Sequence, residues 1–534
     1  MDLVTADEMR EMDRQTIEAF GLPARLLMEN AGRGAARVLM RQYPDLSSAA
    51  VAVAAGRGNN GGDGSVIARY LFQQGINVKL YLFSESARLQ GDAAANFSLL
   101  RTLGVPVTEL PDEKAFEKYR PEMAQKQIWV DAILGTGLNS EVKGYLQSVI
   151  AFVNSLQRPV LAVDIPSGLH ADTGKPCGIC IKAALTATFA FAKTGQVQQP
   201  GAAFTGDLHI IDIGIPPYIA RSVDPRQSLL HPDYLRRIIA SRPADMHKGD
   251  TGHVLVVAGA PGKSGAAAMT AMSALRAGAG LVTLGAPQSL TPVLAPQALE
   301  AMTAGLRETS NGHLSDEAAD QVLELLEGKR CLALGPGIGT DPATCRLVQR
   351  LVQESPVPVI IDADGLNNLA EEPGILINTH APVVLTPHPG EMGRLTGLTS
   401  RAVQADRIGC AREFAESYSA YVVLKGARTV IAQPDDQIYI NPTGNPGMAS
   451  GGMGDVLTGL ISGFIAQGYP PDMAARIAVF LHGAAADEVC ASLGPFGYLA
   501  SDVMKQLPKT IQHLKSGTNA TDEARWQIPV QELP

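Results

Sequence analysis

The residues best suited to chemistry lie late in the chain, in the glycine-rich segment 444–459, which reads GNPGMASGGMGDVLTG. The segment leads into an apolar stretch that predicts a helix, so backbone amides and the helix dipole would converge on an anion. Asp455 stands in the first turn of that helix. A carboxylate there can simply complement the helix dipole, but beside a phosphate pocket it can also act as a base, and we favour the base.

A second glycine-rich loop follows the first apolar strand and reads GRGNNGGDG over residues 56–64. Its glycine spacing is that of a turn that brings backbone close to a pyrophosphate, with Glu85 placed to contact a ribose. However, Asn59, Asn60 and Asp63 crowd the loop with polar side chains, whereas a plain dinucleotide turn presents mainly backbone. We therefore expect this loop to bind a different ligand.

Two aspartates, Asp131 and Asp164, each close an apolar strand and are followed by glycine-containing loops. Either could be a helix cap when taken alone. Strand carboxyl ends line the ligand crevice of an open parallel sheet, so together with the asparagine-rich loop these aspartates predict a polar ligand site.

Short apolar runs alternate with helical patterns, and this alternation predicts a doubly wound α/β fold. The first series of runs centres near Val51, Val78, Val130, Val163 and Ile211. Prolines interrupt it between Ile215 and His247, and the alternation then resumes from Val256 to Val423. We predict one domain over residues 1–222, a larger one over 228–515 and a frayed polar tail over 516–534.

Two helices are expected before the first strand. Thr5 and Glu8 have the spacing of a capping box, which predicts a helix that starts at Thr5. A second helix should begin at about Pro23, because proline suits the first helical turn.

The composition limits the class of protein. Of 534 residues, 46% are hydrophobic and 18% charged, so global disorder is excluded. The 44 basic and 53 acidic residues give a net charge of −9, which disfavours broad binding to nucleic acid or anionic membranes. The acidic start and the absence of an apolar stretch of about 20 residues predict a cytoplasmic protein with no membrane span.

Cys177 and Cys180 form the one C-x-x-C pair among six cysteines. A structural zinc site needs two further ligands at suitable spacing, and none follows. We interpret the pair as incidental thiols in a reducing compartment.

The first half of the chain resembles the NAD(P)H-hydrate epimerases over residues 5 to about 220. The resemblance rests on LMENAG at 27–32, GNNGGDG at 58–64, Asp131 with the GTGL that follows it, and DIPSG at 164–168. It implies a Rossmann-like domain and a potassium site formed by Asn60, Asp131 and Ser167, where oxygen ligands suit a hard cation. It also implies that the damaged cofactor contacts Asn59, Asn60, Gly61, Gly62, Asp63, Gly135, Thr136, Gly137, Leu138, Asn139, Ser140, Glu141 and Asp164.

Epimerisation of a hydrated nicotinamide inverts a ring carbon that bears both a hydroxyl and a nitrogen, which requires proton transfers. A carboxylate can make them, and general acid–base catalysis typically contributes about 10²–10⁴-fold. From its position at a strand end, we expect Asp164 to be the acid/base, with the cation and Asp131 organising the site.

The second half resembles the ribokinase-like superfamily, whose late Gly-Asp loop supplies an aspartate that draws the proton from the accepting hydroxyl. Within it, residues 230 to about 510 are similar to the NAD(P)H-hydrate dehydratases, through HKG at 247–249, SGA at 264–266, GPGIG at 335–339, DADGLN at 362–367, TPHPGE at 386–391 and KGART at 425–429. Taken singly, His388 could be an ordinary loop histidine and Lys425 a solvated strand-end lysine.

By this resemblance the hydrate contacts Ala266, Gly337, His388 and Asp455, and the adenine nucleotide contacts Lys425, Gly426, Ala427, Arg428, Thr429 and Gly454. The implied reaction phosphorylates the hydrate hydroxyl and then eliminates phosphate, which restores the nicotinamide ring. Asp455 would deprotonate the hydroxyl, the amides of residues 451–454 would stabilise the phosphoryl group, and magnesium would offset its charge.

The fused order resembles the microbial bifunctional NAD(P)H-hydrate repair enzymes. It implies that the chain interconverts the R and S forms of the hydrates NADHX and NADPHX and dehydrates the S form with ADP, releasing AMP and phosphate. The expected partners are these small molecules and further copies of the chain. The alternatives are a ribokinase-like vitamin-precursor kinase with an N-terminal binding module, and a first domain that is an interaction module.

Overall fold

The computed structural model describes residues 1–517 and 530–533. None of the helices within these residues is long and apolar enough to cross a membrane. The described chain divides into two compact units, with the division between Gln227 and Ser228. Residues 2–227 with 530–533 form the N-terminal unit, and residues 228–517 with Met1 form the C-terminal unit.

The N-terminal unit alternates strands and helices. Its strands are β1 (Asp2–Val4), β2 (Ala50–Ala55), β3 (Asn77–Leu82), β4 (Val107–Glu109), β5 (Ile128–Ala132), β6 (Val160–Val163), β7 (Leu185–Phe189), β8 (Ala192–Lys193) and β9 (Asp207–Ile211). Its helices are α1 (Ala6–Glu18), α2 (Ala24–Gln42), α3 (Asn59–Gln73), α4 (Gly91–Thr102), α5 (Glu113–Met123), α6 (Tyr145–Ser155), α7 (Thr194–Val197), α8 (Ala202–Thr205) and α9 (Pro217–Val223), with 3₁₀ turns at Leu46–Ser48 and Ser86–Arg88.

The C-terminal unit also alternates strands and helices. Its strands are β10 (Gln227–Leu229), which spans the division, β11 (His253–Val257), β12 (Leu281–Pro287), β13 (Met302–Leu306), β14 (Cys331–Leu334), β15 (Val359–Ile361), β16 (Val383–Leu385), β17 (Tyr421–Leu424), β18 (Val430–Ala432) and β19 (Ile438–Ile440). Its helices are α10 (Pro232–Ile238), α11 (Ser264–Ala277), α12 (Thr291–Leu294), α13 (Ala319–Leu325), α14 (Pro342–Glu354), α15 (Asp364–Leu369), α16 (Pro389–Thr396), α17 (Ser400–Ala405), α18 (Arg407–Tyr418), α19 (Met453–Ala466), α20 (Pro471–Leu493) and α21 (Ala500–Ser516), with 3₁₀ segments at Gln288–Leu290, Asp316–Ala318, Pro373–Asn378 and Pro446–Met448.

A final strand, β20 (Val530–Leu533), pairs in parallel with β9. The frayed tail predicted from composition over 516–534 is therefore wrong at these four residues, where backbone pairing with a sheet edge gives order that polar composition does not reveal. The helix α21 also continues through Ser516. Residues 518–529 and 534 of the predicted tail lie outside the described residues.

The sheet of the N-terminal unit is parallel throughout, in the order β20-β9-β7-β6-β5-β2-β3-β4. Successive residues of β2 face opposite sides: Val51 and Val53 join one buried apolar cluster, while Ala52 and Ala54 join another. Burial on both faces is what a doubly wound sheet requires. The chain leaves β2 in one direction towards β3 and later returns on its other side as β5, so the loops after β2 and β5 border the crevice where such sheets bind ligands.

In the C-terminal unit the sheet order is β13-β12-β11-β14-β15-β16-β17-β18-β19, parallel as far as β17 and antiparallel beyond it. The strand order reverses between β11 and β14, which places the loops after them at the crevice. Helix α19 packs so closely on α11 that a Cβ at Gly459 would lie 2.3 Å from the Thr270 carbonyl oxygen. The predicted α/β fold class is confirmed in both units.

The starts of the first two helices, predicted from local sequence signals, are confirmed. Thr5 caps α1 with the predicted capping box to Glu8, and α2 begins directly after Pro23. These two helices precede β2, as the pattern indicates.

Candidate active sites

The asparagine-rich loop forms the start of α3. Gly58 precedes the helix, Asn59 and Asn60 occupy its first turn, and Asp63 follows in the next turn. A Cβ at Gly61 would lie 1.9 Å from the Gly56 carbonyl oxygen, so the turn admits only glycine there. The loop therefore presents polar side chains, and not only backbone, at the crevice.

A buried polar cluster joins this turn to the ends of β5 and β6. The Ser167 hydroxyl donates to Asp131 Oδ1 at 2.6 Å, and its backbone amide donates to Asp131 Oδ2 at 2.8 Å. The Asn60 side-chain amide donates to the Leu134 carbonyl at 3.0 Å. Burial raises the pKa of Asp131 to about 6, against the opposing effect of the Ser167 hydrogen bonds.

These residues fit the predicted potassium site. Asn60 Oδ1 is buried and accepts no hydrogen bond from any described residue. It lies in the same cluster as the oxygens of Asp131 and Ser167, and oxygen donors are the ligands of a hard cation. An oxygen left without a donor in such a cluster can be satisfied by a cation.

Asp164 follows β6 and is held in an unusual conformation. Its φ is 62°, in the left-handed region. The buried ammonium of Lys193 donates to Asp164 Oδ1 at 2.5 Å, and Thr188 Oγ1 and the Phe189 amide donate to the same oxygen at 3.2 and 3.1 Å. Such strain often occurs at functional sites, where the surrounding structure maintains it.

A cavity of about 500 Å³ opens beside Asp164. Of the residues predicted to bind the damaged cofactor, Asn59, Asp63, Thr136, Gly137 and Asp164 line this cavity. The structure therefore brings together side chains from the loops after β2, β5 and β6.

Other predicted residues lie elsewhere. Leu138 packs against the apolar cluster of the sheet, and Asn139, Ser140 and Glu141 are exposed residues that do not line the cavity. Gly61 and Gly62 pack against backbone and Met28, respectively, and Gly135 stands next to Asn60. Contact between residues 138–141 and the damaged cofactor stays a prediction.

Among the charged residues of this cavity that sequence reasoning missed are Asp13 and Lys193. Burial raises the pKa of Asp13 to about 6, with Asp164 adding to the increase and Lys193 opposing it. Burial, with the carboxylates of Asp164 and Asp13, also holds the pKa of Asp63 well above its usual value. A lysine at the end of an apolar run was the available signal for Lys193.

In the C-terminal unit, Asp455 lies in the first turn of α19, after Gly452 with a φ of 90°. Burial raises the pKa of Asp455 to about 7, and the nearby carboxylate of Asp362 adds to this increase. A carboxyl that titrates near neutral pH suits a general base.

A partly buried lysine pairs with carboxylates beside Asp455. Lys425 Nζ donates to Asp362 Oδ1 at 2.6 Å and lies 3.7 Å from Glu391 Oε2. Thr458 Oγ1 of α19 donates to Asp362 Oδ2 at 2.8 Å. Burial would raise the pKa of Asp362, but Lys425 outweighs this effect and the pKa is lowered. The lysine is therefore a paired, partly buried cation, and not the solvated lysine of the alternative interpretation.

The predicted hydrate-binding residues Ala266 and Gly337 are neighbours at the start of α11. A Cβ at Gly337, whose φ is 63°, would lie 3.1 Å from the Ala266 Cβ. Lys263 reaches across to Asp364 at 2.7 Å, and the Gly339 amide donates to the same carboxylate at 3.1 Å. The loops after β11 and β14 are thereby linked.

His388 caps α16 and is half exposed. Its Nδ1 accepts from the backbone amides of Gly390 and Glu391 at 2.9 and 3.3 Å. The other ring nitrogen, Nε2, lies 3.4 Å from Glu391 Oε1. The cap fixes the ring at the carboxyl end of β16.

The predicted nucleotide loop, residues 425–429, connects β17 and β18. Arg407 holds it through hydrogen bonds to the carbonyls of Leu424 and Ala427 at 2.8 and 2.6 Å. Arg428 has a φ of 59° and donates to the Pro442 carbonyl at 2.7 Å, so its guanidinium supports the neighbouring glycine-rich segment.

Comparison with known proteins gives a consistent result for both units. Residues 24–195 match the family model described as YjeF-related protein N-terminus, and residues 254–509 match that described as NAD(P)H-hydrate dehydratase. A bifunctional NAD(P)H-hydrate repair enzyme of Moorella thermoacetica is 43% identical over 516 residues, covering 96% of this chain and 97% of that protein. The chain belongs to the bifunctional NAD(P)H-hydrate repair enzyme family.

Other members of this repair enzyme family match over nearly the full chain. The protein of Thermofilum pendens is 38% identical, with 99% of this chain and 100% of that protein covered, and the Escherichia coli protein is 36% identical, with 95% and 93% covered. Among solved structures, an ADP/ATP-dependent NAD(P)H-hydrate dehydratase from Bacillus subtilis covers 54% of this chain and 98% of its own, at 33% identity and a TM-score of 0.47.

In this repair enzyme, sequence reasoning gave no separate role to Asp362, Glu391 or His482. Asp362 and Glu391 stand in motifs that carry the resemblance, and each pairs with Lys425. His482 is buried on α20, and its Nε2 has no partner among the described residues. Burial, together with the charge of Lys425, lowers the pKa of His482 to about 4, so the imidazole is neutral at pH 7. A lone histidine in a helix gives no sequence signal of this kind.

We expect Gly454→Ala to weaken nucleotide binding. The added Cβ would lie 3.3 Å from both Lys425 Nζ and Asp362 Oδ2, and it would fill the space next to the predicted nucleotide loop. The KM for ADP should rise at least about tenfold, equivalent to about 1.4 kcal/mol. Gly374→Ala is the matched control, since nothing lies within 4 Å of its added Cβ. An unchanged KM for ADP in Gly454→Ala would contradict the assignment.

Proposed function

We propose that this chain repairs hydrated nicotinamide cofactors through two activities. The N-terminal unit interconverts R- and S-NADHX and R- and S-NADPHX, and the C-terminal unit dehydrates the S epimer with phosphoryl transfer from ADP. The observation that carries the proposal is that one chain holds both a cavity with a lysine-paired carboxylate and a glycine-rich helix start with a base-like aspartate.

In the dehydratase site, Asp455 takes the proton from the hydroxyl of the hydrate as that oxygen attacks the terminal phosphorus of ADP. The products of this step are AMP and the phosphorylated hydrate. Phosphate then leaves with the C–O electron pair as the ring nitrogen forms a double bond to that carbon. Loss of a proton from the adjacent ring carbon to solvent returns the electron pair to nitrogen and re-forms the carbon–carbon double bond of the dihydronicotinamide ring. The amides of residues 451–454 and the Lys425 ammonium stabilise the negative charge that moves during transfer.

Magnesium would supply charge neutralisation of the ADP phosphates when bound. Glu391, beside Lys425, is a carboxylate available as an oxygen donor, and magnesium sites typically combine one or two carboxylates with substrate phosphates. The donor set therefore fits magnesium. Potassium, when bound between Asn60, Asp131 and Ser167, would fix the loops after β2, β5 and β6 around the hydrate.

In the epimerase site, Asp164 acts as the acid/base at the hydroxyl of the ring carbon that is inverted. Lys193, Thr188 and the Phe189 amide occupy its Oδ1, and its Oδ2 accepts no hydrogen bond from the described residues, so Oδ2 is left for the substrate. Asn59, Asp63 and the backbone at Thr136 and Gly137 line the space that the hydrate would fill.

ADP is the proposed donor, although the Bacillus subtilis relative is described as ADP/ATP-dependent. No contact in the loop 425–429 distinguishes the two nucleotides. Cytoplasmic location and homo-oligomeric assembly also stay predictions, checked by cell fractionation and by light scattering after size-exclusion chromatography.

The test is recovery of NADH from a mixture of both hydrate epimers, with ADP, ATP or no nucleotide, in potassium and magnesium. Complete recovery that depends on ADP is expected. Recovery that stops when one epimer is consumed would leave only the dehydratase activity. Accumulation of a stable phosphorylated product from a vitamin precursor, without NADH, would favour the kinase alternative.

A further inference from the structure

The cavity of the N-terminal unit contains a carboxyl to which the proposed mechanism gives no task. Asp13 lies on α1, whose Met9, Met12 and Thr16 are buried, and its side chain lines the same cavity as Asp164. No described residue donates a hydrogen bond to the Asp13 carboxylate or forms an ion pair with it. A half-buried carboxyl without a donor retains its proton more readily than one that is paired.

Asp13 and Asp164 therefore have opposite environments within one cavity. The Lys193 ammonium, at 2.5 Å, and two further donors satisfy Asp164. Asp13 receives none of these, and its pKa is raised to about 6 by burial and by Asp164, with Lys193 opposing the increase. Two carboxyl groups with environments that differ in this way are the usual arrangement of a general acid and a general base.

The other charged groups around the cavity do not neutralise Asp13. Asp63 faces it from α3 and carries a carboxyl, and Lys193 from β8 is already bound to Asp164. On α1 itself, Arg10 pairs with Asp7, and Arg14 pairs with Glu11 and Glu18. Asp92, on α4, pairs with Arg25. Asp13, Asp63 and Asp164 thus share one buried cation, Lys193. Because the negative charges outnumber the positive one, a proton is favoured on one of the three carboxyls.

We propose that Asp13 is a second catalytic residue of epimerisation, the general acid that works with Asp164 as the general base. This inference rests on the proposed epimerase function. Asp13 gives its proton to the hydroxyl oxygen as the bond between that oxygen and the ring carbon breaks, so that water leaves. The ring-nitrogen lone pair forms a double bond to the same carbon.

Water then adds to the opposite face of that carbon, and Asp164 accepts one of its protons. The electron pair of the double bond returns to nitrogen, which gives the other epimer. Transfer of the proton from Asp164 back to Asp13, across the cavity that both line, restores the starting state. The sequence consumes no co-reactant, because one water leaves and one water adds.

The test uses the full-length protein and purified R-NADHX, with S-NADHX formation followed by chromatography over a range of pH. In Asp13→Asn, kcat/KM for epimerisation should fall about 10²–10³-fold, as expected when a general acid is removed. The wild-type profile should fall as pH rises above about 6, because Asp13 must be protonated, and this limb should be absent from Asp13→Asn. In H₂¹⁸O the wild-type product should carry the label at its hydroxyl.

Asp7→Asn is the matched control, since Asp7 is an exposed aspartate of the same helix. Asp13→Glu retains a carboxyl and should recover part of the lost rate with its pH limb present, which a packing role for Asp13 would not produce. Epimerisation by Asp13→Asn at the wild-type rate, with Asp164→Asn inactive, would overturn this inference alone. An unlabelled epimer would overturn the C–O cleavage step, and a wild-type protein that does not epimerise would overturn the proposed function.

Discussion

Asp455→Asn is expected to lower the rate of ADP-dependent dehydration by about 10²–10⁴-fold, the range for loss of a general base, and to leave epimerisation unchanged. An asparagine keeps the size of the side chain and cannot accept the hydroxyl proton. The two activities are measured on separated substrates, S-NADHX for dehydration and R-NADHX for epimerisation. Equal loss of both activities would contradict the assignment of separate sites.

The pH dependence of dehydration should report the same residue. A base must be deprotonated to act, and the pKa of Asp455 is raised to about 7 by burial and by Asp362. The wild-type kcat/KM should therefore rise with pH through about 7 and level off above it. A rate that is constant from pH 5.5 to pH 8.5 would rule out Asp455 as the base.

Measurement of the Tm distinguishes loss of the catalytic base in Asp455→Asn from unfolding of the variant. A raised carboxyl pKa means that the folded state binds the proton more tightly than the unfolded state, so ionised Asp455 destabilises the fold above its unfolded pKa. Removing the charge should leave the Tm of Asp455→Asn at pH 8 equal to or above the wild-type Tm. Asp245→Asn, at an exposed position of the same unit, should change neither activity nor Tm.

The alternation of apolar runs was sufficient to predict most central strands, because parallel strands buried on both faces are nearly continuous apolar segments. The runs at Val51, Val130 and Val163 became β2, β5 and β6, and their ends carry the polar cluster around Asp131. The strand β7 was missed, and two threonines interrupt its apolar run, LTATF. Strand order is set by long-range pairing and is not encoded in any local pattern.

The candidate sites were predictable where short motifs hold several functional residues, as in the first turn of α3 and the first turn of α19. They were not predictable where a residue distant in sequence completes the site. Lys193 lies 29 residues after Asp164, and its position at the end of an apolar run does not show that it pairs with Asp164. Asp13 stands in an ordinary amphipathic helix, and only the cavity reveals its position next to Asp164.

Asp164→Asn is expected to lower epimerisation by about 10²–10⁴-fold and to leave dehydration of S-NADHX unchanged. The catalytic loss follows from removal of the proton acceptor that faces the cavity. Unlike Asp455→Asn, this variant should also be less stable, because the fully buried Lys193 loses the carboxylate that it contacts at 2.5 Å. Breaking a buried ion pair typically costs about 3–5 kcal/mol, and the nearby Asp63 and Asp13 should reduce that value.

The double variant Asp164→Asn/Lys193→Met distinguishes catalysis from stability. Methionine has a similar length and no charge, so the double variant removes the uncompensated ammonium and should regain Tm relative to Asp164→Asn. It should not regain epimerisation, because the carboxylate is still missing. Recovery of activity together with Tm would show that Asp164 maintains the fold around Lys193 and that another group transfers the proton. With Asp7→Asn as the unaffected control, loss of epimerisation that persists at wild-type Tm would identify Asp164 as the base.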